Sequence, residues 1–129
     1  MSFYNTTING VQVRGEITGL IPHHTYAIHI HEKGLCSDNG KDSGGHFNPH
    51  DAKHGHPDAT DSHAGDMPNI TADANGVAVL NFANQKISTN QTATDSVQKR
   101  AVVIHANADD YVSQPAGNAG DRVICGVIN

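Results

Sequence analysis

The stretch Tyr26-Ala27-Ile28-His29-Ile30-His31 decides the fold. Its residues alternate, with Tyr26, Ile28 and Ile30 on one face and Ala27, His29 and His31 on the other. A period of two belongs to a strand half-buried against a core, because successive strand side chains point to opposite faces. Upstream, Val11, Val13 and Ile17 alternate in the same way with Gln12, Arg14, Glu16 and Thr18. Ile8-Asn9-Gly10-Val11 in front of them predicts a hairpin, since Asn-Gly between β-formers suits a tight turn. Pro22 and its neighbours predict a turn. Downstream, strands are expected at residues 76–82, 93–98, 100–105 and 122–128. No segment keeps a 3.6-residue period over three turns, so the expected class is all-β. Residues 34–69 and 106–121 lack a regular pattern; long irregular segments in a compact domain are generally functional or disordered.

A chain of 129 residues suits one domain, 1–129, since domains cluster at about 100–150 residues. Eight Lys and Arg stand against thirteen Asp and Glu, a formal charge of −5, which is no footprint for a nucleic-acid partner. No apolar run approaches the roughly 20 residues of a membrane span, so no membrane partner is expected. Met1 is followed by polar residues, and no signal peptide is expected in this chain. That leaves the compartment open between the cytoplasm and a trimmed form of a secreted or periplasmic protein. There are ten histidines, thirteen glycines and no tryptophan. The clustering of the histidines is the first hint of metal. Cys36 and Cys125 read equally as two buried thiols or as a bridge closing a long loop, worth roughly 4–5 kcal/mol on the chain-entropy model.

The metal hint sharpens residue by residue. His29 and His31 lie two apart on a strand, so their imidazoles project from one face about 7 Å apart and can converge on one ion. His46, His54, His63 and Asp66 supply three imidazoles and a carboxylate, enough for a closed tetrahedral zinc site. The Gly65-Asp66 pair offers a turn that would fold Asp66 back beside His63. His105 ends an apolar strand; alone it would read as an ordinary surface residue, and its weight comes from the company it keeps. His23, His24, His50 and His56 receive no role.

The segments His29-Ile30-His31-Glu32, Gly44-Gly45-His46-Phe47-Asn48-Pro49, Lys53-His54-Gly55, His63-Ala64-Gly65-Asp66, Val103-Ile104-His105 and Gly117-Asn118-Ala119-Gly120-Asp121-Arg122-Val123-Ile124-Cys125-Gly126-Val127-Ile128 occur in that order. Together they resemble the signature segments of the copper/zinc superoxide dismutase family, from about Gly10 to Ile128. The resemblance implies a Greek-key, immunoglobulin-like sandwich or flattened barrel with two long functional loops, an architecture for which that family is an established example. It implies copper at His29, His31, His46 and His105, and zinc at His46, His54, His63 and Asp66. His46 belongs to both sets, because one deprotonated imidazole can bind a metal through each nitrogen, and it takes a proton during turnover. Asp109 resembles the carboxylate linking a copper-ligand histidine to a zinc-ligand one, Arg122 the anion-guiding arginine, and Cys36 with Cys125 the intrachain disulfide. The implied activity is conversion of superoxide to dioxygen and hydrogen peroxide by a copper that is alternately reduced and oxidised, with zinc structural.

Two departures from the family pattern carry expectations. Residues 2–8 can pair with the strand beginning at Val11, but nothing precedes them to form the family's first strand. About seven strands are therefore expected, with an open edge between the N-terminal and C-terminal strands, and open edges favour a homo-oligomer. Residues 111–116 contain no Lys or Glu, so steering charge for an anion must come from elsewhere, with Lys33 and Lys53 as candidates. Rival readings are a non-catalytic copper-carrier or chaperone-like domain of the same fold and, far behind, a zinc-only hydrolase using Glu32 as base.

Overall fold

The computed structural model describes residues 2–5, 11–90 and 92–128. Its strands are β1 (Ser2–Asn5), β2 (Val11–Ile17), β3 (Thr25–Tyr26), β4 (Ile28–His31), β5 (Ile70–Thr71), β6 (Ala78–Asn84), β7 (Ala101–His105) and β8 (Arg122–Val127), with one 3-10 turn at Lys41–Ser43. Two antiparallel sheets, ordered β1-β2-β6 and β4-β7-β8, form the body, and β3 and β5 make a short ladder of their own. β2 lies beside β6 and β4 beside β7, so neighbours come from distant parts of the chain, as a Greek-key sandwich requires. Buried Val11, Val13, Tyr26, Ile28, Ile30, Met67, Ile70, Leu80 and Ile104 fill the core. Among the described residues, no helix is long and apolar enough to cross a membrane.

The all-β class and the strands read from alternation hold, with differences that have physical causes. β1 pairs with β2 in the expected antiparallel sense, from Ser2 opposite Arg14 to Asn5 opposite Val11. The Asn9-Gly10 turn lies outside the described residues. The run 26–31 is cut at Ala27. Tyr26 pairs with Ile70 in β5, whereas Ala27 donates its N–H to the Asn107 carbonyl and accepts from His105 N–H, so the chain changes partners there. Residues 93–98 form no strand. Thr, Asp and Ser favour turns, and successive turns (Ala93 N to Asn90 O, Ser96 N to Ala93 O) replace the ladder; only a single parallel bridge, Ser88 to Ser96, survives. The expected strand at 76–82 is shifted to Ala78–Asn84, because Gly76 (φ +74°) closes a turn back to Asp73.

Two short parts of residues 34–69, at residues 45–47 and at Gly65, are pinned along the free edge of β4. Ile30 N–H bonds Gly65 O at 2.9 Å, Phe47 N–H bonds Ile30 O at 2.7 Å, and Glu32 N–H bonds Gly45 O at 3.0 Å. The approach needs glycine: a Cβ on Gly65 would lie 2.3 Å from the Ile30 carbonyl oxygen. A disulfide joins Cys36 to Cys125 on β8, tying the start of the same loop to the last strand.

Candidate metal centre

Alternation on β4 sends Ile28 and Ile30 into the core and His29 and His31 toward the pinned loop. All four are buried, so both histidines sit where water cannot solvate a charge. Bridges His31–His46 and His29–Asp66 then bring the loop's ligand-type side chains alongside. β7 runs antiparallel to β4 and ends at His105, which closes the cluster.

His29, His31, His46 and His105 form one pole, each offering a ring nitrogen within 4.8 Å of the others. The outward nitrogens are committed elsewhere. His31 Nδ1 donates to Gly44 O at 2.8 Å, His105 Nδ1 donates to Gly120 O at 3.3 Å, and His29 Nε2 donates to Asp109 Oδ2 at 2.7 Å. A ring that spends its one N–H outward presents a lone pair inward, which is how such partners fix the tautomer of a metal-binding histidine. His29 Nδ1 and His46 Nε2 are buried with no hydrogen-bond partner, the state a nitrogen reserved for a metal would show. Burial lowers His29 to about 3, His31 to about 2 and His105 to about 4, and also lowers His46. His29, His31 and His105 are thus neutral at ordinary pH, with lone pairs that could serve a metal.

The second pole gathers His46, His54, His63 and Asp66. Asp66 Oδ1 lies 3.0 Å from His46 Nδ1, 2.9 Å from His54 Nδ1 and 3.4 Å from His63 Nδ1, and the two Nδ1 atoms of His46 and His63 are 3.2 Å apart. A tetrahedron built on zinc–nitrogen and zinc–oxygen bonds of about 2.0–2.2 Å has edges of roughly 3.3–3.6 Å; the observed edges are a slightly contracted version. The other Asp66 oxygen accepts from the backbone of Gly55 and His63, and Asp66 N–H bonds His63 O, the turn the sequence suggested. His29 also falls within 4.8 Å of His46, His54 and Asp66. The Nε2 of His29 is engaged by Asp109 and its Nδ1 is one of the unpartnered nitrogens, whereas His63 Nδ1 lies directly against His46 and Asp66.

Asp109 links the poles. Its Oδ2 accepts from His29 and its Oδ1 accepts from His54 Nε2 at 2.8 Å and from Tyr111 N–H at 2.7 Å. Burial acts to lower the pKa of His54, but hydrogen bonds from its two ring nitrogens to Asp109 and Asp66 outweigh it and push the value up to about 9. Burial would raise the two carboxyls, yet bonds from the histidines hold both well below the usual carboxylate range.

The open side of the first pole is a cavity of about 330 Å³ lined by His31, His46, His63, His105, Pro115 and Arg122, among others. Glu32 is exposed and lines a separate recess with Phe47 and Arg100, so it is not the base a hydrolase would need at this cavity. Neither Lys33 nor Lys53 lines the cavity. The histidines given no role lie outside both poles. His23 and His50 are exposed, His24 donates to the Ala106 carbonyl, and His56 packs on Tyr111. Sequence reasoning missed Gln114, which brackets the His54 backbone with bonds to its N–H and C=O, and Asn69, which bonds the Asp109 backbone in the same way. No local pattern marks either residue.

Fold and site together define a β-sandwich carrying a two-pole histidine cluster that can hold metal ions. Residues 1–128 match the family described as copper/zinc superoxide dismutase (SODC), and the chain belongs to that family. It is 43% identical over 126 residues to superoxide dismutase (Cu-Zn) 2 of Aquifex aeolicus (strain VF5), covering 95% of this chain and 74% of that protein. It is 38% identical over 134 residues to superoxide dismutase (Cu-Zn) 2 of Mesembryanthemum crystallinum, covering 99% and 84%. Among solved structures, the clock protein EA4 superposes with a TM-score of 0.88 at 39% identity, covering 97% of this chain and 82% of that one. A SOD-like protein from Bacillus subtilis gives 0.87 at 30% identity, covering 98% and 87%.

Proposed function

We propose that the chain, acting as one domain over residues 1–129, is a superoxide dismutase that holds copper at His29, His31, His46 and His105 and zinc at His46, His54, His63 and Asp66. The observation that carries this reading is the two-sidedness of His46: Nδ1 sits 3.0 Å from Asp66 and 3.2 Å from His63, while Nε2 is buried and unpartnered at the other pole. Copper suits imidazole ligands and supplies a one-electron couple, whereas zinc has no redox chemistry and contributes structure and charge.

The chain's own residues do the rest. Arg122 binds the superoxide anion by charge-assisted hydrogen bonds at the cavity. Nε2 of His46 holds a proton between the two half-reactions and returns it in the second. Asp109 keeps the rings of His29 and His54 in the tautomers the two poles need. Overall, two superoxide anions and two protons give dioxygen and hydrogen peroxide.

The competing reading is a non-catalytic copper carrier of the same fold, and the B. subtilis neighbour is itself called only SOD-like. Retention of both ligand sets together with Arg122 favours catalysis. The test is metal analysis with a superoxide-consumption assay on wild type and His105→Ala. Copper and zinc in the wild type, with activity lost in the variant, is expected. Full zinc occupancy with neither copper nor activity would overturn the enzymatic reading. For assembly, we propose pairing with a second copy through exposed strand edges. Among the described residues β1 and β8 are each paired on one side only, and Val123 and Val127 on β8 are exposed. Sedimentation showing only monomer at high concentration would reject it.

A further inference from the structure

Arg122 opens β8, and its guanidinium does not simply extend into the cavity. Nη1 donates to the Gly40 carbonyl at 2.7 Å and to Ser43 Oγ at 3.0 Å, with the Lys41 carbonyl at 3.4 Å. Ser43 is completely buried, and its hydroxyl donates to the same Gly40 carbonyl at 2.6 Å. A serine hydroxyl has one proton. With that proton spent on Gly40, the oxygen faces Nη1 as an acceptor. Among the described residues, Nε and Nη2 have no hydrogen-bond partner. Nη1 is therefore consumed by the turn, and the rest of the planar fork is left for an anion.

The turn is itself built for this. Gly40 (φ +82°) starts the 3-10 turn Lys41–Ser43, and its carbonyl accepts from Ser43 N–H at 3.2 Å as well as from the Ser43 hydroxyl and the guanidinium. A Cβ on Gly40 would lie 3.3 Å from Cβ of Arg122, so the turn and the start of β8 are in close contact. The disulfide from Cys36 to Cys125 ties turn and strand together beside the same contact, with Cys125 Cβ 3.8 Å from where a Gly40 Cβ would stand.

We infer that Ser43 is a positioning residue for anion capture: its buried hydroxyl locks one nitrogen of Arg122 so that the remaining donors meet superoxide in a fixed orientation. This rests on the reading of Arg122 as the anion-holding residue, and the test separates the two. Azide serves as the anion probe, titrated into the copper- and zinc-loaded protein and followed in the visible spectrum. Ser43→Ala should weaken azide binding by about tenfold, the factor expected for one lost hydrogen bond to a charged group, with metal content unchanged. Ser43→Thr, which keeps the hydroxyl, should restore it. In an Arg122→Ala background, Ser43→Ala should have no further effect. Independently of any variant, nitrogen-15 NMR of the reduced, diamagnetic protein should resolve separate, slowly exchanging Nη1 protons on Arg122. Wild-type azide affinity in Ser43→Ala, or rapidly averaged Nη protons, overturns the role of Ser43 alone. A wild type that binds no azide overturns the reading of Arg122 and this inference with it.

Discussion

Gly117 stands so close to Asp109 that a Cβ built on it would lie 1.9 Å from the carboxylate's Oδ1 and 2.8 Å from His54 Nε2. Its φ of +69° is also one that side chains with a Cβ rarely adopt. The second irregular loop therefore uses glycine to let a carboxylate reach between the two poles. Gly117→Ala should displace Asp109 from both histidines and lower affinity for both metals by about 10–100-fold, the usual effect of losing a partner that orients metal-binding rings. Competition with a chelator measures it. Tight, unchanged binding of both metals would remove Asp109 from the linking role.

The buried rings should give the metal-free protein a stability maximum near pH 6.5. His29, His31 and His105 titrate at about 3, 2 and 4 when folded, all depressed by burial. Below pH 6.5 the unfolded chain takes up protons at these rings that the folded one does not. Stability then falls with falling pH by about 1.4 kcal/mol per unit for each ring. His54 has the opposite sign. Raised to about 9, it contributes fully below 6.5, and that contribution is lost as pH rises through 9. Asp66 and Asp109, both depressed, contribute throughout this range and lose it only in stronger acid. Urea unfolding of the chelator-treated protein from pH 4.5 to 9.5 reads the curve. Stability still climbing between 7 and 9 would contradict the clamp of His54 between Asp66 and Asp109.

Much of this was legible because it is local. Period-two alternation revealed β2 and β4, β-rich runs marked β7 and β8, and the ligand-type residues stood out by spacing and motif order. The disulfide and the link through Asp109 came only by resemblance, since neither partner's neighbourhood marks it. What stayed hidden depends on distant partners. The cut at Ala27 exists because Asn107 and His105 meet its backbone, residues 80 and 78 positions away. The misassigned strand at 93–98 has a buried Val97, as a strand would, but its backbone is spent in turns. Ser43 looks like any loop serine until the fold sets Arg122 against it.

Cys36 and Cys125 are 89 residues apart in sequence, and bridging them removes loop freedom from the unfolded chain. Replacing both by serine should cost roughly 4–5 kcal/mol on the chain-entropy model, seen as a lower urea midpoint. The same variant frees the turn that holds Arg122 from β8, so azide affinity should fall as well. A stability loss with wild-type azide affinity would show that the turn keeps its place without the bridge.

Lys41 stands beside Arg122 in a recess that adjoins the histidine cavity through Gly120 and Arg122; Lys41 itself does not line that cavity, and Lys33 and Lys53 line neither. The chain's net charge of −5 repels an anion, so capture depends on local positive charge at the mouth. Screening acts over about 10 Å at 0.1 M salt, so the advantage of such a charge should fade as salt is added. Lys41→Glu should therefore lower kcat/KM for superoxide several-fold at low ionic strength, with the gap closing at high salt. Lys33→Glu and Lys53→Glu change net charge by the same amount and should do less. Equal losses in all three variants would make steering a matter of net charge, and no loss in Lys41→Glu would leave Arg122 as the cation that matters at the mouth.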